Sequence, residues 1–333
     1  SGTGRELNLK TFKLVDQLSG RTLGLRADMT PQVARIDAHL LNREGVTRLC
    51  YCGPVLHTRA SALQGSRELL QFGAEIFGHA GLEADLEVQE LALEVLADSG
   101  LADLTIDLAA ARVLRGVLAG VPVDAGALQD VVAALSVKDA QMLAAATERF
   151  PAEARSGLAA MLRLYGGAEG LAAARHELPA RPLIANALDE LQWLATHLGS
   201  AYPSLRIGFD LSDMSGYAYY SGARFALYGG GASDAVARGG RYDEVGAIFG
   251  RNRPAVGFSL DLRQLAEQAP GNGGAQAIRA PWSEDAALRA AVRRLRADGH
   301  AVIWALPGHA EADATACDRE LVQADGRWVV VAR

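Results

Sequence analysis

Cysteine is scarce. Cys50, Cys52 and Cys317 are the only three, too few for a disulfide framework and better suited to a reducing cytoplasm than to secretion. No apolar run approaches the roughly eighteen residues of a membrane helix, and no secretory leader opens the sequence, so a soluble intracellular protein away from membranes is expected. Positive charge is not in excess either. Thirty-three Lys and Arg stand against thirty-nine Asp and Glu, a net charge of −6. A nucleic-acid binder usually needs a basic face to neutralise phosphates, so no nucleic-acid partner is expected. The short basic stretch Arg289–Arg296 alternates with apolar residues and reads as the wet side of one helix.

Metal and nucleotide signatures are also missing. Seven histidines are scattered without an H-E-x-x-H, and Cys50 and Cys52 lack two further ligands at suitable spacing. Neither a metal nor a cofactor is expected, and both cysteines are read as buried. No strand–turn–helix carries G-x-G-x-x-G, which excludes a dinucleotide-binding doubly wound sheet. The glycines between 229 and 246 lack the phosphate-cradling G-x-x-x-x-G-K-[ST] and read as hairpin turns and close backbone approaches.

Half of the 333 residues are hydrophobic, ample for a large core. Arg21–Ala27 alternates as a strand after a turn at Ser19-Gly20. Thr30-Pro31 then predicts a helix to about Asn42, with Thr as cap and Val33, Ile36 and Leu40 as its apolar face. Arg48–Thr58 reads as a strand interrupted at Gly53-Pro54, and Glu68–Phe77 as its hairpin partner. Ala84–Asp98 is an amphipathic helix stopped by Gly100. Residues 121–198, rich in Ala and Leu, form a helical insertion in which Ser136–Asp139 resembles a capping box. Strands return at Arg206–Leu211, Ala218–Tyr228 and Ala237–Gly246, and Pro254–Leu265 runs from strand into helix. On such a strand Tyr219 and Tyr220 point to opposite faces, so one of them, Tyr220, is expected to face a pocket. After a linker at 269–281 a small segment follows: helix 284–298, strand 301–306 and a hairpin turning at Asp325-Gly326. Hairpin-joined strands that outnumber their helices predict an α+β fold with an antiparallel sheet. Residues 1–120 and 199–268 make the two parts of its core, and 282–333 a small C-terminal α/β segment.

Four segments in order resemble class II aminoacyl-tRNA synthetases, specifically the histidyl enzyme. They are Leu25–Thr30 (LRADMT), Gly53–Glu75 with the frame of class II motif 2, Asp213–Tyr220 (DMSGYAYY), and Ala237–Leu265, which joins GGRYD to a motif 3-like run. The resemblance implies a pocket for histidine. Asp28 and Thr30 would hold the α-ammonium and Gln71 the carboxylate. Glu75 and Tyr220 would read the imidazole, and Tyr242 would cover the ring. A buried ring with two nitrogens needs a partner at each.

The departures point away from catalysis. The synthetase places arginines around the phosphates where this sequence has His57, Ser215 and Gln264. Each such donor is worth about 10²–10³ in rate, and a histidine lacks both the permanent charge and the fork of an arginine. The anticodon-binding domain is absent or reduced to the tail after Leu265. The histidyl enzyme and its non-catalytic paralogues both carry a helix and strand, motif 1, ahead of the point matching residue 1, so that element is expected outside this sequence or diverged beyond recognition. This pattern resembles the regulatory subunits of ATP phosphoribosyltransferase. The resemblance implies no catalysis, a short-form catalytic subunit as partner, and histidine as allosteric ligand feeding back on the first step of histidine biosynthesis. It also implies a homodimer within a hetero-oligomer. A histidine-adenylating enzyme without tRNA charging, or a module sensing histidine or tRNA, are the alternatives.

Overall fold

The computed structural model of the protein describes residues 7–60, 66–229, 231, 234–268, 277–308 and 317–333. The chain divides into two compact units, Ser1–Ala269 and Pro270–Arg333.

The first unit opens with the antiparallel pair β1 (Lys13–Val15) and β2 (Thr22–Gly24). The helix Thr30–Arg35 follows, but Thr30 does not cap it. Met29 is the cap residue. The Asp28 carboxylate, one residue earlier, accepts the Thr30 N–H at 3.0 Å, which leaves the threonine hydroxyl for other work. After Arg35 the chain widens into a π-helical turn, Ile36–Leu41, closed by Asn42 in the left-handed region. That change of period breaks the expected apolar face. Val33 is buried, whereas Leu40 is 77% exposed.

β3 (Thr47–Leu56) and β4 (Glu68–Phe77) pair along their whole length. The expected break at Gly53-Pro54 does not occur. β3 ends the sheet among the described residues, and at Pro54 and Leu56 its outer edge bonds to Arg26. The missing proline N–H therefore costs no rung of the ladder. Cys50 and Cys52 share the outward-facing side of this strand and are exposed rather than buried, while Cys317 is buried.

The helix Leu82–Asp98 leads to β5 (Thr105–Ala110) and the helix Ala111–Val117. Five helices then run between 125 and 201, with a two-residue strand β6 (Tyr165–Gly166) among them. Ser136 ends the first of these helices, and it is the Asp139 side chain that caps the next, accepting from Gln141 and Met142. β7 (Arg206–Asp210), β8 (Ala223–Tyr228), β9 (Ala237–Arg241) and β10 (Ala255–Asp261) complete the sheet, and the helix Leu262–Gln268 follows directly. The eight strands lie in the order β3-β4-β10-β9-β8-β5-β7-β6. Every pair is antiparallel except β5–β7, a mixed sheet in an α+β fold.

In the second unit β11 (Ala277–Pro281), placed in a linker by the sequence reading, is an interior strand of a four-stranded sheet. Helix Ala286–Ala297, β12 (Val302–Ala305), β13 (Cys317–Ala324) and β14 (Arg327–Ala332) complete it, in the order β12-β11-β13-β14. The expected hairpin turns at Asp325 and Gly326, both with positive φ. Helix Ala286–Ala297 buries Leu288, Ala291 and Val292; Arg293 and Arg294 are exposed, whereas Arg289 lies over the Trp282 and Trp304 rings and Arg296 donates to the Val302 carbonyl.

Candidate functional site

Strand register gathers the site on one face of the large sheet. Tyr51 stands opposite Gly73, and Gly73 opposite Ser259, which in turn faces Arg238. Gln71 and Glu75 lie two residues either side of Gly73 and therefore share its face. Their neighbours Ala74 and Ile76 point the other way, into the main core. Two glycines make the room. A Cβ at Gly73 would overlap the Tyr51 hydroxyl and the Phe258 carbonyl. One at Gly257 would overlap the Glu75 carboxylate.

Glu75 is only 2% exposed, and hydroxyls from three segments converge on it. Tyr242 donates to Oε2 at 2.5 Å, and Tyr51 and Thr30 donate to Oε1 at 3.0 and 3.3 Å. Burial pushes the Glu75 carboxyl up to about 8, against the lowering effect of the Tyr242 and Tyr51 hydrogen bonds. The hydroxyls of Tyr51, Tyr219, Tyr220 and Tyr242 are held above the usual phenol range, first by burial and then by the Glu75 carboxylate. Near neutral pH the four phenols are thus uncharged and the Glu75 carboxyl largely keeps its proton. A basic ligand would draw that proton off Glu75 and gain a charge-assisted hydrogen bond.

A second cluster adjoins the first. Asp28 Oδ1 accepts from Gln71 Nε2 at 2.9 Å, and Gln71 Oε1 accepts the Met29 N–H at 2.8 Å. Asp28, Thr30, Gln71, Glu75 and Tyr242 are therefore joined through direct hydrogen bonds. Tyr220 lines the same cavity as Thr30, Glu75 and Tyr242. That cavity encloses about 210 Å³ of space between its lining residues, part of it open to solvent.

Three further side chains belong here that the sequence reading does not include. Tyr51 reaches Glu75 only because its β3 position faces a glycine. Tyr219 is the second, and its absence from the reading has a specific cause. Tyr219 and Tyr220 do not stand on a strand; both backbone N–H groups bond to the Gly216 carbonyl in a turn. Alternation does not apply there, and both rings enter the site. Tyr219 stacks on Tyr242 with centroids 5.0 Å apart and meets Tyr220 edge-on at 5.2 Å. Its hydroxyl is buried and has no hydrogen-bond partner among the described residues. Arg238 is the third, on the cavity lining.

The three positions where the synthetase resemblance expects arginine carry no forked cation. His57 Nε2–H donates to the Ala27 carbonyl at 2.9 Å. Ser215 is exposed, and its hydroxyl donates to Asp213 at 2.7 Å. Gln264 lies in the helix after β10.

The histidyl-tRNA synthetase family model matches residues 1–265, and that of the ATP phosphoribosyltransferase subunit HisZ C-terminal domain matches residues 275–331. An ATP phosphoribosyltransferase regulatory subunit of Variovorax paradoxus (strain S110) is 60% identical over 332 residues, covering 99% of this chain and 86% of that protein. The chain belongs to the family of ATP phosphoribosyltransferase regulatory subunits. A solved ATP phosphoribosyltransferase regulatory subunit/histidyl-tRNA synthetase from Bacillus halodurans C is 30% identical with a TM-score of 0.79, over 93% of this chain and 81% of that one. The ATP phosphoribosyl transferase (HisG:HisZ) complex from Thermotoga maritima contains a chain 19% identical with a TM-score of 0.59, over 75% of this chain and 85% of that one. That second likeness is one of fold. As the sequence resemblance implies, this regulatory subunit is built on a histidyl-synthetase-like fold. Among the described residues no helix is long and apolar enough to cross a membrane.

Proposed function

We propose that this regulatory subunit works in the cytoplasm with a short-form ATP phosphoribosyltransferase catalytic subunit, raises its activity, and transmits inhibition by histidine bound in the Glu75 pocket. The observation that carries the reading is the Glu75 carboxyl, buried, held by three hydroxyls, and poised near neutrality. Imidazole has an ordinary pKa near ~6.5, so ring and carboxyl can share a proton across the physiological range. Asp28 and Thr30 supply oxygen acceptors for an α-ammonium. Gln71 uses one amide N–H on Asp28 and carries a second for a carboxylate. Tyr220 and Tyr242 flank the ring.

Adenylate formation is not part of this reading. Charge developing on an α-phosphate needs fixed cations, and His57, Ser215 and Gln264 supply none of the forked donors. The HisG:HisZ assembly of the Thermotoga maritima relative supports a catalytic-subunit partner in a hetero-oligomer; the homodimer within it is what the synthetase resemblance implies. Inhibition through such a pocket would be a coupling of about 1–3 kcal/mol between two sites.

Reconstitution tests this directly. The protein is mixed with the short-form catalytic subunit of the same source, and phosphoribosyl-ATP formation is followed with and without histidine. Activity should rise on mixing and fall with histidine. No change on mixing, with the two proteins eluting apart, would sink the assignment, and histidine-dependent ATP–pyrophosphate exchange would then be the assay to run.

A further inference from the structure

The Glu75 cavity is acidic for a site meant to hold a zwitterion. Glu75 forms its wall and Asp28 lies close enough to raise it further. An amino acid brings one more carboxylate into this partly desolvated space. Asp28 is assigned to the ammonium and Glu75 to the ring, which leaves that carboxylate a neutral Gln71 N–H, and a partly buried charge is costly unless it is paired.

Among the described lining residues one basic side chain is present, Arg238. Its strand position opposite Ser259 puts it on the same sheet face as Gln71 and Glu75. Among the described residues it pairs with Asp234, four residues back, and its side chain is 42% exposed, which sets it at the mouth of the cavity. Such a pair at solvent is weak, and a guanidinium has five N–H donors. Two other arginines near the site are committed. Arg224 is buried against Asp213 and donates to the Ser215 carbonyl. Arg115 donates to the Tyr220 carbonyl and lies over the Tyr217 ring.

We propose that Arg238 receives the α-carboxylate of the amino acid in the Glu75 pocket and selects free histidine over analogues without that charge. The proposal rests on the reading of the pocket as a histidine site, and it deepens that reading by naming the counter-charge. Arg238 would do the neutralising that the arginine missing at Ser215 cannot.

The test is calorimetric titration of the full chain with L-histidine and with L-histidine methyl ester. Wild type should bind histidine about 10- to 100-fold more tightly than the ester, the range of one charge-assisted contact. Arg238→Ala should remove that preference by weakening histidine alone, and Arg238→Lys should keep part of it, having the charge without the fork. Circular dichroism melts establish that each variant is folded. If wild type binds histidine, Glu75→Gln weakens it and Arg238→Ala binds as wild type, then Arg238 is only a surface ion pair and the proposal fails while the pocket stands. Equal weakening of both ligands by Arg238→Ala also overturns it, since the arginine would then shape the pocket without touching the carboxylate. No histidine binding by wild type would end both readings.

Discussion

Tyr242 Oη donates to Glu75 Oε2 at 2.5 Å, joining residues 167 positions apart in the chain. Tyr242 follows β9 directly, and Glu75 lies on β4, so this bond ties two strands across β10 between them. Tyr242→Phe would leave one oxygen of a buried carboxyl without its donor while keeping the ring. Loss of such a partner costs roughly 1–3 kcal/mol. The expected result in urea denaturation is a lower midpoint with unchanged slope, because the surface exposed on unfolding stays the same.

Glu75 also sets a pH dependence. Its folded value, about 8, lies above the ordinary 4.5. Between those values the unfolded chain has released the proton and the folded chain retains it, so stability falls as pH rises from about 4.5 to about 8 and levels off beyond. Asp85, pushed up to about 6 by burial despite its Arg241 partner, adds a smaller fall in the acidic part of the same window. Glu75→Gln should flatten the upper part of the curve in melts taken between pH 6 and 8. An unchanged slope there would mean that Glu75 titrates normally.

The parts of this site that sequence reveals are those carried by short motifs. Asp28 with Thr30, Gln71 with Glu75, and Tyr242 within GGRYD each sit in a segment whose residue order is distinctive by itself. Tyr51 has no such neighbourhood, and its role depends on facing Gly73 across β3 and β4, a register that the intervening loop does not disclose. Tyr219 was hidden by a different cause. An apolar-aromatic run reads as a strand, but Gly216 with φ +69 turns the chain there, and both tyrosines then face inward. Pro54 misled in the opposite direction, since a proline breaks a strand only where its N–H is needed. The strands and helices themselves were largely legible, because burial on one side imposes periods of two and 3.6.

Tyr219 offers a test in which stability and binding move apart. Its buried hydroxyl lacks a partner among the described residues, and a buried unpaired hydroxyl is a cost to the empty protein. Tyr219→Phe should leave the melting temperature of the free chain unchanged or higher. If a ligand supplies the missing partner, the same variant should bind histidine about tenfold more weakly, one neutral hydrogen bond. A lower melting temperature would indicate that the hydroxyl is satisfied in the free protein.

On the opposite side of the sheet, Arg241 is locked into the helix Leu82–Asp98. Its Nε donates to Asp85 at 3.0 Å, and its two terminal nitrogens donate to the carbonyls of His79 and Gly81 at 3.0 and 2.9 Å. Both side chains are buried. Arg241→Met would strand Asp85 and two carbonyls, and breaking such a pair costs about 3–5 kcal/mol. Because Tyr242 is the next residue, the variant should also loosen the Glu75 site, read as increased quenching of tyrosine fluorescence by acrylamide. A variant as stable as wild type would show that the pair contributes only Coulombic balance.

Gly257→Ala separates space from chain flexibility. Its added methyl would fall on the Glu75 carboxylate and within 2.6 Å of the Ala74 carbonyl, and both belong to the neighbouring strand with which Gly257 is in register. Backbone cannot yield there without breaking the β4–β10 ladder, so the carboxylate must move and its bonds to Tyr242 and Tyr51 must open. Histidine binding should be lost while far-ultraviolet dichroism stays close to wild type. Gly199→Ala is the matched control. It lies in the helix Pro182–Ala201, where the nearest foreign atom is a side-chain methyl of Ile207 at 3.6 Å. There the same change should stabilise by up to about 1 kcal/mol through helix propensity. If both variants bind and melt alike, the carboxylate can be displaced without consequence, and the tight floor beneath Glu75 has no role in holding it.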